Sequence, residues 1–243
     1  MPGDRLGFQH MSESNPNYWG VSMLIYIIRH GEPAYPVDDL TPRGHLEAQL
    51  LAHRLAHRGV SAVFSSPMGR AIATAWYTAE CLNLPITIEP WMQELESWTI
   101  TQASLAECPA WGVVPHTVRT RELPRQKWDI FPPFNASLGA KFDELKRNSD
   151  AFLCRHGYIR SGGRYRIERP NEYRLAVFCH CGFGLTWLAH LLEIPVPMVW
   201  AGFTLQPSSL TTIAFEEDGR QWAIPRCLGL GDLSHLTTEL PPG

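Results

Sequence analysis

Apolar residues fall along this chain in short runs separated by stretches with helical spacing. Met23-Leu24-Ile25-Tyr26-Ile27-Ile28 is apolar at every position, which suits a central strand covered on both faces. Thr41-Pro42 then supplies an N-cap followed by a first-turn proline, and Leu46, Leu50, Leu51 and Leu55 recur on one helix face. Gly59 predicts the close of that helix. Ser61–Ser65 reads as a second strand, Ser66-Pro67 opens a helix running to about Leu82, and Ile86-Thr87-Ile88 is a brief strand. From Trp98 to about Arg169 the pattern breaks down. That stretch is rich in Pro, Trp and Arg, holds one helix over Leu138–Phe152, and predicts an excursion from the sheet, as a lid or specificity insert. Leu175–Cys179 returns to a two-faced apolar strand, with a helix after it through Leu192. Leu210–Phe215 and Gln221–Cys227 predict a hairpin around Asp218-Gly219. Strands alternating with helices argue for an α/β sheet. No internal repeat interrupts it.

Composition narrows the partners. At 243 residues and 44% hydrophobic, the chain can bury one sizeable core. A net charge of −3 with 19% charged residues offers no basic field for nucleic acid. No apolar run approaches the about 20 residues needed to cross a bilayer. Residues 1–20 lack the apolar stretch of a secretory signal and read as a flexible leader, with Met11 or Met23 as alternative starts. Residues 21–243 then form a single domain with an insertion at about 98–170. The six cysteines are scattered, and Cys179 and Cys181 lie too close along the chain to pair easily. Reduced thiols in a cytoplasmic protein are the simpler reading.

The chemistry gathers where three strands end. The first runs into Arg29-His30-Gly31-Glu32, the second into Ser65-Ser66-Pro67 with Arg70 one turn on, and the later one into His180-Cys181-Gly182. In an open α/β sheet, ligands bind beyond the carboxyl ends of strands. Two histidines and two arginines there suit a phosphoryl group. Arginine offers a fixed fork of donors for its oxygens, and neutral imidazole supplies a nucleophile without a metal. Other candidates weigh less. His53 and His57 are an i,i+4 pair near His45, but no acid or cysteine completes a metal set, so a solvated face is expected. Trp91, Trp98, Trp111 and Trp128 suit packing of the irregular insert better than stacking on a substrate. Cys154 to Arg160 satisfies the C-x5-R spacing of cysteine-dependent phosphatases, which needs a buried strand before it and a helix after it. Here a helix end precedes it and Ser161-Gly162-Gly163 follows as a turn, so the match is read as coincidence.

Arg29-His30-Gly31 behind an apolar strand resembles the signature of the histidine phosphatase superfamily (the phosphoglycerate mutase-like branch). The tripeptide alone is weakly specific, and Arg155-His156-Gly157 repeats it. The ordered set is stronger. Leu40-Thr41-Pro42-Arg43-Gly44 resembles the family's L-T-x-x-G stretch, and Ser65-Ser66-Pro67-Met68-Gly69-Arg70-Ala71 its S-S-P-x-x-R-A element. Val177–Gly182 resembles its second-histidine strand, with Cys181 where glycine is usual, and Gly231–Leu236 resembles a common tail motif. The likeness covers roughly residues 23–96 and 174–236. Pattern and resemblance together predict a three-layer α/β sandwich with a mostly parallel central sheet flanked by helices and an irregular or helical insertion.

The resemblance implies His30 as nucleophile, and Arg29, Arg70 and His180 as the groups that hold the phosphoryl oxygens. Glu94, in Met92-Gln93-Glu94, falls where the family's acid/base carboxylate stands, with Glu96 as a nearby competitor. Glu32 is read either as orienting the loop or as solvated. The expected activity is hydrolysis of a small phosphate monoester through a phosphohistidine, with no metal and no cofactor. Neither nucleic acid nor membrane is an expected partner, and a homodimer is left open. Phosphoglycerate mutase-type transfer is the alternative, weakened because Glu32–Val37 replaces a longer Asn- and Trp-containing stretch. A non-catalytic binder of phosphorylated ligands needs neither nucleophile nor acid. Specificity falls to the insert, where Arg119, Arg121, Arg125, Arg160, Arg164 and Arg166 either recognise a second anionic group or are solvated.

Overall fold

The computed structural model describes residues 20–101, 107–120, 127–219 and 221–237, so the expected leader lies outside the described residues except for Gly20. β1 (Gly20–Arg29) contains the two-faced apolar run, with Met23, Ile25, Tyr26, Ile27 and Ile28 all buried. The chain leaving it folds back as a two-residue ladder of β2 (Pro33–Ala34) and β3 (Asp39–Leu40). α1 (Pro42–Ala56) starts on its predicted signal, the Thr41 hydroxyl oxygen accepting the Gly44 N–H at 3.0 Å. Its buried face is Glu47, Ala48, Leu51, Ala52 and Leu55 beside Gly44, and Leu46 is left exposed. β4 (Ala62–Ser65) leads to α2 (Gly69–Leu82), which begins after Ser66-Pro67 because the Ser66 N–H still extends the ladder to the Phe178 carbonyl at 2.9 Å. β5 (Ile86–Ile88) follows.

The irregular stretch holds β6 (Thr99–Thr101) paired with β7 (Glu107–Pro109), the short α3 (Pro115–Arg119), and α4 (Ala136–Arg155) capped by Asn135. It then rejoins the sheet rather than remaining an excursion. β8 (Tyr158–Ser161) and β9 (Arg164–Ile167) form a hairpin that pairs with the last long strand. β10 (Arg174–Cys179), α5 (Cys181–Leu191), α6 (Val196–Gly202), β11 (Leu210–Glu217) and β12 (Trp222–Asp232) complete the chain, the last two forming the predicted late hairpin with longer arms.

Eight strands make one sheet in the order β5-β4-β10-β1-β11-β12-β9-β8. The β5-β4-β10-β1 half is parallel, and from β11 onward every pairing is antiparallel. Successive side chains of a strand point to opposite faces, and β1 divides two cores accordingly. Met23, Ile25 and Ile27 join Leu145 and Phe152 of α4, Phe183 and Trp187 of α5, and Trp200 of α6. Tyr26 and Ile28 join Leu51 and Leu55 of α1 and Ala75 of α2. Helices therefore cover both faces, which gives the three layers. The parallel half ends its strands together, and that edge is where the reactive groups emerge.

Candidate active site

Sheet register sets the arrangement. Arg29 pairs with Cys179 across β1 and β10, and Phe178 pairs with Ser65 across β10 and β4. The next residues, His30, His180 and Ser66, leave the sheet side by side. The His30 N–H continues the ladder to the Cys179 carbonyl at 2.9 Å, and the rings of His30 and His180 lie with centroids 5.2 Å apart. Arg70 enters from the first turn of α2. His30, Ser66, Arg70 and His180 are all buried.

The orientation of His30 is fixed by its own loop. Its Nδ1 lies 2.7 Å from the Gly31 carbonyl oxygen. A carbonyl can only accept, so Nδ1 carries the hydrogen and the lone pair sits on Nε2. Burial lowers the His30 pKa to about 4, with Arg29 and Arg70 pushing the same way against the Gly31 hydrogen bond and Asp38. The ring is therefore neutral near pH 7. The loop cannot drift, because Gly31 and Gly44 interlock. A Cβ on Gly44 would stand 2.2 Å from the Glu32 carbonyl oxygen, and one on Gly31 would stand 2.7 Å from that of Gly44. Only glycine at the third turn position of α1 lets the helix press on the loop. Thr74 accepts the Gly31 N–H at 3.0 Å, Glu47 accepts the Glu32 N–H at 2.9 Å, and the Thr41 hydroxyl donates to Glu32 Oε1 at 2.7 Å. Glu32 thus orients the loop.

Around the rings stand unsatisfied donors. Arg29 Nη1 donates to the Leu205 carbonyl at 2.6 Å, and Arg70 Nη1 donates to Asp38 Oδ1 at 2.5 Å. Yet Arg29 Nε, Arg70 Nε and His180 Nδ1 are buried without a partner among the described residues. Leaving a buried donor unmade costs about 1–3 kcal/mol, so two guanidinium N–H groups beside an unpartnered ring nitrogen mark a site built for an acceptor that arrives from outside. Burial lowers the His180 pKa to about 2, reinforced by His30, Arg70 and Arg29, so this ring too is neutral.

Glu94 reaches the N-terminus of α5. Its Oε1 accepts the N–H groups of Leu95 at 3.0 Å and Phe183 at 2.9 Å, and its Oε2 accepts that of Gly182 at 3.1 Å. Burial raises its pKa, the largest influence, against the pull of those three amides and of Arg29. Oε2 keeps a lone pair that no described group uses, which is where a proton can sit. Glu96 is exposed, with Oε1 3.8 Å from Arg70 Nη2. Trp111 closes over this corner, its ring 2.5 Å from where a Cβ on Gly182 would be.

Sequence reasoning missed the supporting groups. Asp38 holds Arg70 from one oxygen and accepts the Gly69 N–H at 2.7 Å with the other. Ser66 Oγ lies 2.8 Å from His180 Nε2. Glu47 and Thr74 brace the His30 loop as above. The remaining candidates lie elsewhere. Cys154 is exposed near the end of α4, and a strand follows it instead of a helix, so no amide loop surrounds the thiol. Arg160 pairs with Asp150 and Glu193, Arg166 pairs with Glu168, and Arg164 stacks on Trp222, all at the antiparallel edge of the sheet. Arg119 ends α3, whereas Arg121 and Arg125 fall outside the described residues. His53 and His57 are exposed. Trp98 and Trp128 pack in the core against Trp200. A cleft of about 780 Å³ opens between α4 and the C-terminal end of α5, lined by Phe142, Asp150, Arg160, His190 and Glu193 among others. Its charged groups largely pair with one another, and it sits at the opposite end of α5 from His180.

A family model described as "Histidine phosphatase superfamily (branch 1)" matches residues 25–226. The Proteus mirabilis protein named probable phosphoglycerate mutase GpmB is 29% identical over an alignment of 93 residues that covers 35% of this chain and 43% of that protein. The chain thus spans less than half the length of that curated relative. Among solved structures, the phosphoserine phosphatase of Entamoeba histolytica in complex with phosphoserine superposes with a TM-score of 0.57 at 18% identity, covering 88% of this chain and 99% of that one. A mycobacterial glucosyl-3-phosphoglycerate phosphatase with inorganic phosphate gives 0.58 at 16% identity, covering 88% and 99%. At such identities the likeness is one of fold.

Proposed function

The chain belongs to the histidine phosphatase superfamily, branch 1, and from that premise we propose that it hydrolyses small phosphate monoesters through a phosphohistidine on His30, without a metal. The observation that carries this reading is the set of buried, unpartnered nitrogens on Arg29, Arg70 and His180 around a neutral His30 whose lone pair is on Nε2. A phosphoryl group brings the oxygens those nitrogens lack, and the two arginines supply positive charge as its oxygens rearrange.

In the first step Nε2 of His30 attacks phosphorus, forming the P–N bond as the ester P–O bond breaks. The imidazole becomes cationic, and the Gly31 carbonyl at its Nδ1–H favours that charge. Glu94, protonated at Oε2, gives its proton to the departing oxygen. In the second step the Glu94 carboxylate takes a proton from water, which attacks phosphorus. The P–N bond breaks, inorganic phosphate leaves, and Glu94 is protonated again.

Hydrolysis is preferred to mutase-type transfer because the loop after His30 is short, closed by the β2–β3 ladder, with Tyr35 and Val37 exposed. Relatives of this fold bind phosphoserine and carry names built on 3-phosphoglycerate, so small phosphorylated hydroxy acids are the first substrates to try. The test is release of phosphate from phosphoserine, 3-phosphoglycerate and p-nitrophenyl phosphate. His30→Ala is expected to abolish it and Cys154→Ser to leave it nearly intact. Turnover that survives His30→Ala would refute the assignment.

A further inference from the structure

The hydrogen bonds at Ser66 bear on which nitrogen of His180 carries its hydrogen. Ser66 Oγ receives the Met68 N–H at 3.2 Å and lies 2.8 Å from His180 Nε2, and both side chains are fully buried. A hydroxyl has one hydrogen to give. If His180 Nε2 carried a hydrogen and donated it to Ser66, Oγ would accept twice, and its own hydrogen would have no acceptor among the described residues. His180 Nδ1 would then offer a lone pair beside two arginines and His30, with nothing to bind a phosphoryl oxygen. With the hydroxyl donating to Nε2, every one of these groups is satisfied except Nδ1–H. That atom is buried and unpartnered, and a neutral ring in this state can still donate.

We propose that Ser66 is a positioning residue that locks His180 in the Nδ1–H tautomer, so that an uncharged imidazole donates to the transferring phosphoryl group. The inference rests on the phosphohistidine reading for its purpose, though not for its structural content. Positive charge then comes from Arg29 and Arg70 alone, and His180 contributes a directed hydrogen bond that persists through mildly acidic pH. The backbone supports the same geometry. The Ser66 N–H is fixed to the Phe178 carbonyl at 2.9 Å, two residues before His180, so both partners hang from one ladder.

Long-range ¹H–¹⁵N correlation spectra of the free full-length protein, assigned with His180→Asn, test this directly. His180 is expected as the Nδ1–H tautomer in the wild type and in Ser66→Thr, which keeps the hydroxyl. Ser66→Ala should shift it towards the Nε2–H form and slow single-turnover phosphorylation of His30 by up to about 10²–10³-fold, the order lost when a transition-state donor is removed, with Ser66→Thr restoring most of the rate. A wild-type ring in the Nε2–H form overturns the proposal, and that measurement needs no variant to fold beyond the assignment control. An unchanged tautomer or an unchanged phosphorylation rate in Ser66→Ala overturns it as well. Failure of the phosphohistidine reading would show separately, as absence of phosphate on wild-type His30 with the tautomer intact.

Discussion

An alkoxide leaving phosphorus needs a proton, whereas p-nitrophenolate leaves readily without one, and this difference isolates Glu94. In the proposed mechanism its Oε2 delivers that proton. Glu94→Gln is therefore expected to slow phosphorylation by alkyl esters about 10²–10⁴-fold, the usual contribution of a positioned acid, and to affect phosphorylation by p-nitrophenyl phosphate far less. Glu96→Gln should do neither. Single-turnover rates are the measurement, since steady-state turnover mixes the two steps. Equal slowing with both esters would reduce Glu94 to the cap of α5, a role its bonds from the Gly182 and Phe183 amides also fit. The residues named from sequence were those whose type and position announce chemistry: Arg29, His30, Arg70, His180 and Glu94. Asp38 and Ser66 were not legible as partners, because an acid in a loop and a serine before proline are ordinary. Their contacts, with Arg70 and His180, span 32 and 114 positions along the chain. Only the register of β1, β10 and β4 brings such distant positions together.

Between elements, the tightest fit is α1 against the His30 loop. A methyl group on Gly44 has backbone oxygen in its way at 2.2 Å, and neither the helix nor the bonded loop can yield cheaply. Gly44→Ala is expected to cost about 1–3 kcal/mol as an overpacked contact. That corresponds to a melting temperature lower by about 2–4 °C per kcal/mol in a chain of this size, with activity falling further as His30 shifts. Thr41→Ala, which removes the cap and the hydroxyl's bond to Glu32 but forces no atom aside, should cost about 1 kcal/mol and lower turnover less than Gly44→Ala does. Melting curves with parallel assays separate the two, and a silent Gly44→Ala would mean that the interlock does not hold the loop. The same scale explains what the hydrophobic pattern hid. Arg164-Tyr165-Arg166-Ile167 alternates exposed and buried in the period of a strand, but only over four residues set among prolines, glycines and arginines. Its membership of the sheet depends on pairing with β12, a long-range partner that local periodicity does not announce. The long two-faced runs of β1 and β10 are buried by helices on both sides, and for that reason they read plainly.

For the molecule as a whole, buried neutral histidines couple folding to pH. His30 and His180 take up protons at about pH 6.5 when unfolded, but only near pH 4 and pH 2 when folded. Below pH 6.5 the unfolded chain therefore binds more protons, and stability falls as pH drops, by about 1.4 kcal/mol per unit for each such ring. For His30 the loss is complete near pH 4. Thermal melts from pH 7 to pH 4.5 should show this decline, and His180→Asn, which cannot titrate, should make it shallower. A slope unchanged in that variant would mean that the ring is not held neutral. The scaffold thus keeps both imidazoles uncharged at some cost to acid stability, and the use proposed for His30 is to carry the phosphoryl group. It is tested most directly by mixing the protein briefly with a radiolabelled phosphate monoester, quenching in alkali and mapping the labelled peptide. Acid-labile, alkali-stable phosphate on His30 is expected, chased to inorganic phosphate when turnover continues. Label on Cys154, or ester cleavage with no label on His30 within a single turnover, would contradict it.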